Sequence, residues 1–254
     1  MNPRHHSKLQ YVRHDVDWTD EKVSRFWDFE AEFPQHFFSS ALGDAIVLLF
    51  RNYLHGRRSV LDYGCGPGGL VKSLLNEGLF VAATDFSAEA ISSVTDRYAG
   101  HPRFLGADTV EKLVATGATY DALFAVEVIE HLADDQLKFT INTIKRLLAP
   151  NGIAILTTPN DEDLGAQKVL CPDCGAVFHR YQHMRSWAPD SLCALMNENG
   201  LRVIKLAVTD FYRVWPTWSL PKAKMFVKTL LGMGVAEKKP HLYCVCSLGQ
   251  SAQG

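Results

Sequence analysis

Val60-Leu-Asp-Tyr-Gly-Cys-Gly-Pro-Gly-Gly69 is the stretch on which the reading of this chain turns. Its first residues belong to the apolar run Ser59–Tyr63, short enough for a buried strand and bounded by glycines. Such a strand delivers Asp62 to its carboxyl end. Gly64, Gly66 and Gly68 then remove side chains, so a ligand can approach the backbone closely. In open α/β sheets, ligands bind outside the carboxyl ends of the strands, near a topological switch point. The spacing is not the G-x-G-x-x-G dinucleotide fingerprint.

Working outward, strand and helix signals alternate. Leu70–Asn76 reads as helix, Phe80–Thr84 as strand, and Ser87–Tyr98 as helix with Ser87 as its cap. Arg103–Leu105 is a short strand candidate, Asp121–Val126 a further strand, Asp134–Leu148 a helix and Gly152–Thr158 a strong β run. Alternation of this kind predicts βαβ units and a parallel sheet. Before the glycines, Asp17–Leu54 is helical in pattern. Thr19 is placed to cap it, Phe26, Trp27 and Phe29 form its apolar side, and Pro34 interrupts it. After Pro159 the regularity fails for about 25 residues, a length that in a compact domain points to function or to a metal clip. Pro189–Asn199 (a helix closed by Gly200), Leu201–Val208 and Leu242–Ser247 complete the pattern. Between the last two lies the aromatic, then helix-like Phe211–Lys239.

The expected architecture is a Rossmann-like α/β fold, a seven-stranded, mostly parallel sheet with helices on both faces. A helical extension or lid occupies 1–55, and the main domain spans 56–254. Within it fall a Cys/His insert (160–187) after the fifth strand and a cap-like insert (211–239).

Composition narrows the function classes. The 254 residues are 47% hydrophobic and 21% charged, with a formal net charge of −2. That is enough chain for one sizeable core and too apolar for disorder. It lacks the basic excess of a dedicated nucleic-acid binder. No apolar run of about 20 residues is present, so no transmembrane helix is expected. The N-terminus lacks the apolar stretch of a secretory signal. The six cysteines (65, 171, 174, 193, 244 and 246) do not form a disulfide framework, and reduced thiols in a cytoplasm fit them best. Oligomeric state is not written in the sequence.

The glycine stretch resembles the D-x-G-x-G-x-G loop of class I S-adenosylmethionine-dependent methyltransferases, and the resemblance continues in order along the core. Asp85, in Ala82-Ala-Thr-Asp-Phe-Ser87, ends the second strand, where an acid can take both ribose hydroxyls. Asp108, in Leu105-Gly-Ala-Asp-Thr109, matches the family's adenine-contacting acid. Ala125-Val-Glu-Val-Ile-Glu-His131 and Leu147-Leu-Ala-Pro-Asn-Gly152 follow in family order. The resemblance assigns Asp62, Gly64, Cys65, Gly66, Gly68, Asp85, Phe86, Asp108 and Val126 to the cofactor, S-adenosylmethionine.

At the end of the fourth strand, Glu127, Glu130 and His131 are the candidate catalytic residues. A hydroxyl acceptor must lose its proton during methyl transfer, and a histidine, with an ordinary pKa of about 6.5, is suited to take it. Ubiquinone-type O-methyltransferases and small-RNA 2′-O-methyltransferases are similar here. In both, the carboxylates and histidine of E-x-x-E-H hold a divalent ion with a later histidine, for which His183 stands. Two carboxylates and two imidazoles suit Mg²⁺, Mn²⁺, Fe²⁺ or Zn²⁺. A competing ligand set lies in the insert, where Cys171, Cys174, His179 and His183 read C-x2-C-x4-H-x3-H and can close a tetrahedral Zn²⁺ site. Both sets need His183, and the sequence leaves the choice open.

The expected function is O-methylation of a small-molecule or glycan-linked hydroxyl. RNA 2′-O-methylation and a catalytically silent cofactor-binding protein are the alternatives. Near-neutral charge weighs against the first, and the retention of Asp62, Asp85, Asp108 and His131 against the second.

Overall fold

The computed structural model describes residues 12–214 and 239–249. Its element order is β1 (His14–Asp15), α1 (Asp20–Ala31), α2 (Phe38–Leu54), β2 (Ser59–Tyr63), α3 (Gly69–Asn76), β3 (Phe80–Thr84), α4 (Ala88–Tyr98), β4 (Phe104–Asp108), α5 (Val110–Ala115), β5 (Tyr120–Val126), α6 (Asp134–Leu147), β6 (Leu148–Pro159), β7 (Lys168–Leu170), β8 (Ala176–His179), α7 (Pro189–Glu198), β9 (Leu201–Thr209) and β10 (His241–Leu248). Strands lie in the order β4-β3-β2-β5-β6-β10-β9, with β10 antiparallel to both its neighbours and the others parallel. This is the expected seven-stranded sheet. The order reverses between β2 and β5, and the glycine loop leaves β2 at that switch point.

Two apolar layers hold the sheet, and β5 shows how its sequence serves both. A strand turns alternate side chains to opposite faces. Ala122, Phe124 and Val126 join the layer that carries Ile46 and Phe50 of α2, while Leu123 and Ala125 join Ile141 and Ile144 of α6. All but Val126 of these are wholly buried. Each large side chain so buried contributes about 1.5–3 kcal/mol. The unbroken apolar run Ala122–Val126 is thus what a strand covered on both faces requires.

Several boundaries fall where local chemistry puts them. Thr19 accepts a hydrogen bond from the Lys22 amide, and Ser87 accepts one from the Ala90 amide, so both expected N-caps form. Three differences stand out. The third strand runs on from Leu105 to Asp108, through Gly106 at φ +114°. Leu148 begins β6 instead of ending α6. The insert is not bare loop: β7 and β8 form an antiparallel hairpin, and β1 adds to β8 in parallel. The helix expected at Lys222–Leu231, and with it most of the cap-like 211–239 segment, lies outside the described residues.

Candidate active site

The glycine loop keeps the form its sequence implies. Gly64, Gly66 and Gly68 have φ of +75°, +47° and +77°, a region costly for residues with a Cβ. Space is short as well, since a Cβ on Gly64 would stand 2.7 Å from the Val128 side chain and one on Gly66 2.9 Å from the Phe37 ring. Cys65 is buried between them.

Asp62 is almost fully buried, and its Oδ2 has no hydrogen-bond partner. Burial, reinforced by the charge of Asp85, pushes its pKa up to about 8. Asp85 reaches back over the loop. Its Oδ2 accepts from the Gly66 amide at 2.8 Å and its Oδ1 from the Ser87 amide at 3.0 Å. Burial raises its pKa, opposed by those amides. Phe86 beside it is largely exposed. Thr84 pairs with Asp108 across β3 and β4, which puts Asp108 on the same rim. There the carboxylate meets Lys112 Nζ at 2.9 Å and accepts from the Thr109 amide. Val126 ends β5 behind the loop and is buried. A buried acid with an orphan oxygen, beside a loop that only glycine can follow, fits a cationic ligand such as S-adenosylmethionine.

Next along the carboxyl ends of the strands, Glu127 has φ +52°, unusual for a residue with a side chain. Thr157 of β6 secures it. The Glu127 amide donates to the Thr157 carbonyl at 3.1 Å, and the Thr157 hydroxyl donates to Glu127 Oε1 at 2.8 Å. Residues 127–131 form a turn, with α6 starting only at Asp134, and this turn brings Glu130 and His131 together. His131 Nε2 lies 3.8 Å from Glu130 Oε1. Both oxygens of the buried Glu130 lack a hydrogen-bond partner. Burial raises Glu127 to about 8 and Glu130 well above the carboxylate range. Burial, then His183, takes His131 down to about 3. Such an imidazole is neutral, a weak Brønsted base and a good metal ligand.

His183 comes to the same place. Its ring centroid is 4.8 Å from that of His131, and Glu130, His131 and His183 can offer three ligand atoms within 4.8 Å of one another. The zinc set drawn from the sequence does not assemble. Cys171 and Cys174 sit at the tip of the β7–β8 hairpin, where the Cys171 amide donates to the Ala176 carbonyl. His179 lies three residues further along β8, at about 3.3 Å per residue. Tetrahedral zinc needs its donors within about 4 Å of each other. Instead, His179 and His183 meet a residue the sequence reading passed over. Glu162 Oε2 is 2.5 Å from His183 Nδ1, and its Oε1 is 3.4 Å from His179 Nε2. Glu162 stands in the acidic run Asn160-Asp-Glu-Asp163 right after β6, and only its place at a strand's carboxyl end could have marked it.

A wall from the N-terminal helices covers the cluster. Trp27 of α1 packs edge-on against His131, with centroids 4.9 Å apart. Its Nε1 donates to Gln182 Oε1 at 3.0 Å, and Gln182 Nε2 donates to the His131 carbonyl at 3.1 Å. Gln182 is wholly buried and has φ +59°. One side chain thereby ties the helix, the insert and the 127–131 turn together.

The parallel sheet, the switch-point glycine loop and the acids at the ends of β2, β3 and β4 define a Rossmann-like, S-adenosylmethionine-dependent methyltransferase. A methyltransferase-domain family model matches residues 31–206, and the chain belongs to that family. It is 27% identical over 227 residues to the ubiquinone biosynthesis O-methyltransferase of Proteus mirabilis, covering 80% of this chain and 87% of that one. It is 35% identical to the Rhizobium rhizogenes protein of the same name over 109 residues, 42% of this chain and 43% of that one. An S-adenosylmethionine-dependent methyltransferase from Clostridium acetobutylicum superposes with a TM-score of 0.59 at 12% identity, covering 89% of this chain and 99% of that one.

Proposed function

We propose that the chain transfers the methyl group of S-adenosylmethionine to a hydroxyl of a small-molecule or glycan-linked acceptor, assisted by a divalent cation held at Glu130, His131 and His183. The observation that carries this reading is the buried Glu130, His131 and His183 cluster at the end of β5, in which neither Glu130 oxygen has a hydrogen-bond partner. Burying a carboxyl without a partner costs free energy, and a cation is the ligand that would recover it. Glu127, held by Thr157, stands next in line as a carboxylate for the same ion. Such an ion lowers the pKa of a bound hydroxyl. The protein's own part is to hold the acceptor oxygen in line with the sulfonium methyl, since most of the gain in a two-reactant step comes from positioning.

Trp27 closes the acceptor side and excludes water from it. The names of the relatives support oxygen as the methylated atom. The six free cysteines support a reducing, cytoplasmic setting. No helix among the described residues is long and apolar enough to cross a membrane. The deciding experiment incubates the chain with isotopically labelled S-adenosylmethionine, a panel of phenols and glycosides, and Mn²⁺ or a chelator. Mass spectrometry should detect a labelled methyl on oxygen that depends on the metal. Transfer to nitrogen alone, or transfer indifferent to chelation, would remove the respective half of the proposal.

A further inference from the structure

His179-Arg-Tyr-Gln-His183 makes a tight turn off the end of β8, in which the Gln182 amide donates to the His179 carbonyl and Gln182 takes its positive φ. The turn stacks the two imidazoles, with centroids 4.5 Å apart and planes 18° from parallel. It also aims two backbone amides, those of Tyr181 and His183, at His179 Nδ1, at 3.3 and 3.2 Å. An amide can only donate, so Nδ1 of His179 is the lone-pair nitrogen and Nε2 carries the proton. That Nε2, buried and without another partner, points at Glu162 Oε1 at 3.4 Å. The second oxygen of Glu162 lies 2.5 Å from His183 Nδ1. A carboxylate can only accept, so His183 carries its proton on Nδ1, and its lone pair is on Nε2.

We propose that Glu162 is a positioning residue which, steadied by His179, fixes His183 in the Nδ1–H tautomer and leaves the Nε2 lone pair for the cluster of Glu130 and His131. The trio Glu162, His179 and His183 has the look of a second cation site, since it too can present three donor atoms within 4.8 Å. The tautomer of His179 argues otherwise, because a protonated Nε2 cannot ligate a metal. Glu162 therefore works from behind His183. Carboxylates in this position orient a ligating imidazole and raise its basicity, and their loss costs about 10–100-fold in metal affinity or activity. Only the use made of Nε2 rests on the function proposed above; the tautomer does not.

Two readouts separate the two. In the full-length, metal-free chain, heteronuclear NMR of labelled imidazole nitrogens should show His183 protonated at Nδ1 and His179 protonated at Nε2. Each pattern is assigned by its loss in His183→Asn or His179→Asn. In Glu162→Gln, and again in Glu162→Ala, the His183 pattern should shift toward the other tautomer while S-adenosylmethionine binding, a check on folding, stays unchanged. Mn²⁺ titration of Glu162→Gln should give an affinity about 10–100-fold weaker than wild type. A His183 protonated at Nε2 in the wild type, or a His183 pattern identical in both Glu162 variants, overturns the proposal. If the tautomers behave as expected and neither wild type nor variant binds Mn²⁺, the positioning role stands and the metal reading fails.

Discussion

Asp62→Asn should stabilise the cofactor-free protein at alkaline pH while weakening its hold on the cofactor. Asp62 is 2% exposed, its Oδ2 has no partner, and burial with the charge of Asp85 lifts its pKa from 3.8 to about 8. For an acid raised by folding, the sign is the reverse of the usual carboxylate. Below the unfolded value both states hold the proton, and nothing is lost. As pH rises, the unfolded chain releases a proton that the folded chain keeps, so stability falls until the folded pKa is passed. Each pH unit in that window is worth about 1.4 kcal/mol, so wild type should lose about 4 kcal/mol from this residue between about pH 5 and pH 8. Asparagine keeps the shape and removes the ionisation. Urea unfolding of both proteins without cofactor, followed by circular dichroism, should show their difference growing by about that amount across the window. Other titrating groups cancel in the comparison. The cationic cofactor favours the ionised acid, so its binding to wild type should release protons near neutrality and strengthen with pH, and Asp62→Asn should lose both effects. A stability difference that is flat with pH would mean Asp62 is already ionised in the free protein, and the reasoning from burial would be refuted.

Asp85→Ala should weaken S-adenosylmethionine binding by about 1.5–3 kcal/mol in titration calorimetry, the value of hydrogen bonds to a charged group. His131→Ala, by removing a ligand of the proposed cation, should lower turnover by about 10²–10⁴-fold and leave cofactor affinity in place, the opposite division from Asp85→Ala. Replacing Cys171 and Cys174 together by Ser should leave Mn²⁺ affinity unchanged, because the hairpin tip stands three strand residues from His179; a loss of Mn²⁺ binding would return the thiols to the site. Leu123→Ala, in the middle of the fully covered β5, should cost about 2–5 kcal/mol in unfolding free energy.

The framework was legible because its signals are local. Phe80–Thr84 and Ser59–Tyr63 are apolar runs closed by a turn, Ser87 caps a helix by contacts three residues away, and the glycines of 64–68 answer to backbone angles set within the loop itself. Asp62 and Asp85 came with it, as residues ending strands whose direction was already known. What could not be read depends on how the insert folds back. The C-x2-C and H-x3-H spacings are adjacent in sequence, and spacing alone offered all four as ligands of one ion. β8 separates them, because an extended strand advances about 3.3 Å with each residue and carries His179 away from the thiols. On the reading proposed above, competition for His183 between two metal sets turns on the partner that approaches it. Glu162 arrives from β6, across 21 residues of chain, and takes Nδ1. Glu130 and His131 arrive from β5 and adjoin the same ring. A histidine has two nitrogens, and a sequence motif does not say which one a neighbour will occupy. Here the neighbour assigns Nδ1 to a carboxylate, and the cluster of Glu130 and His131 is left with Nε2.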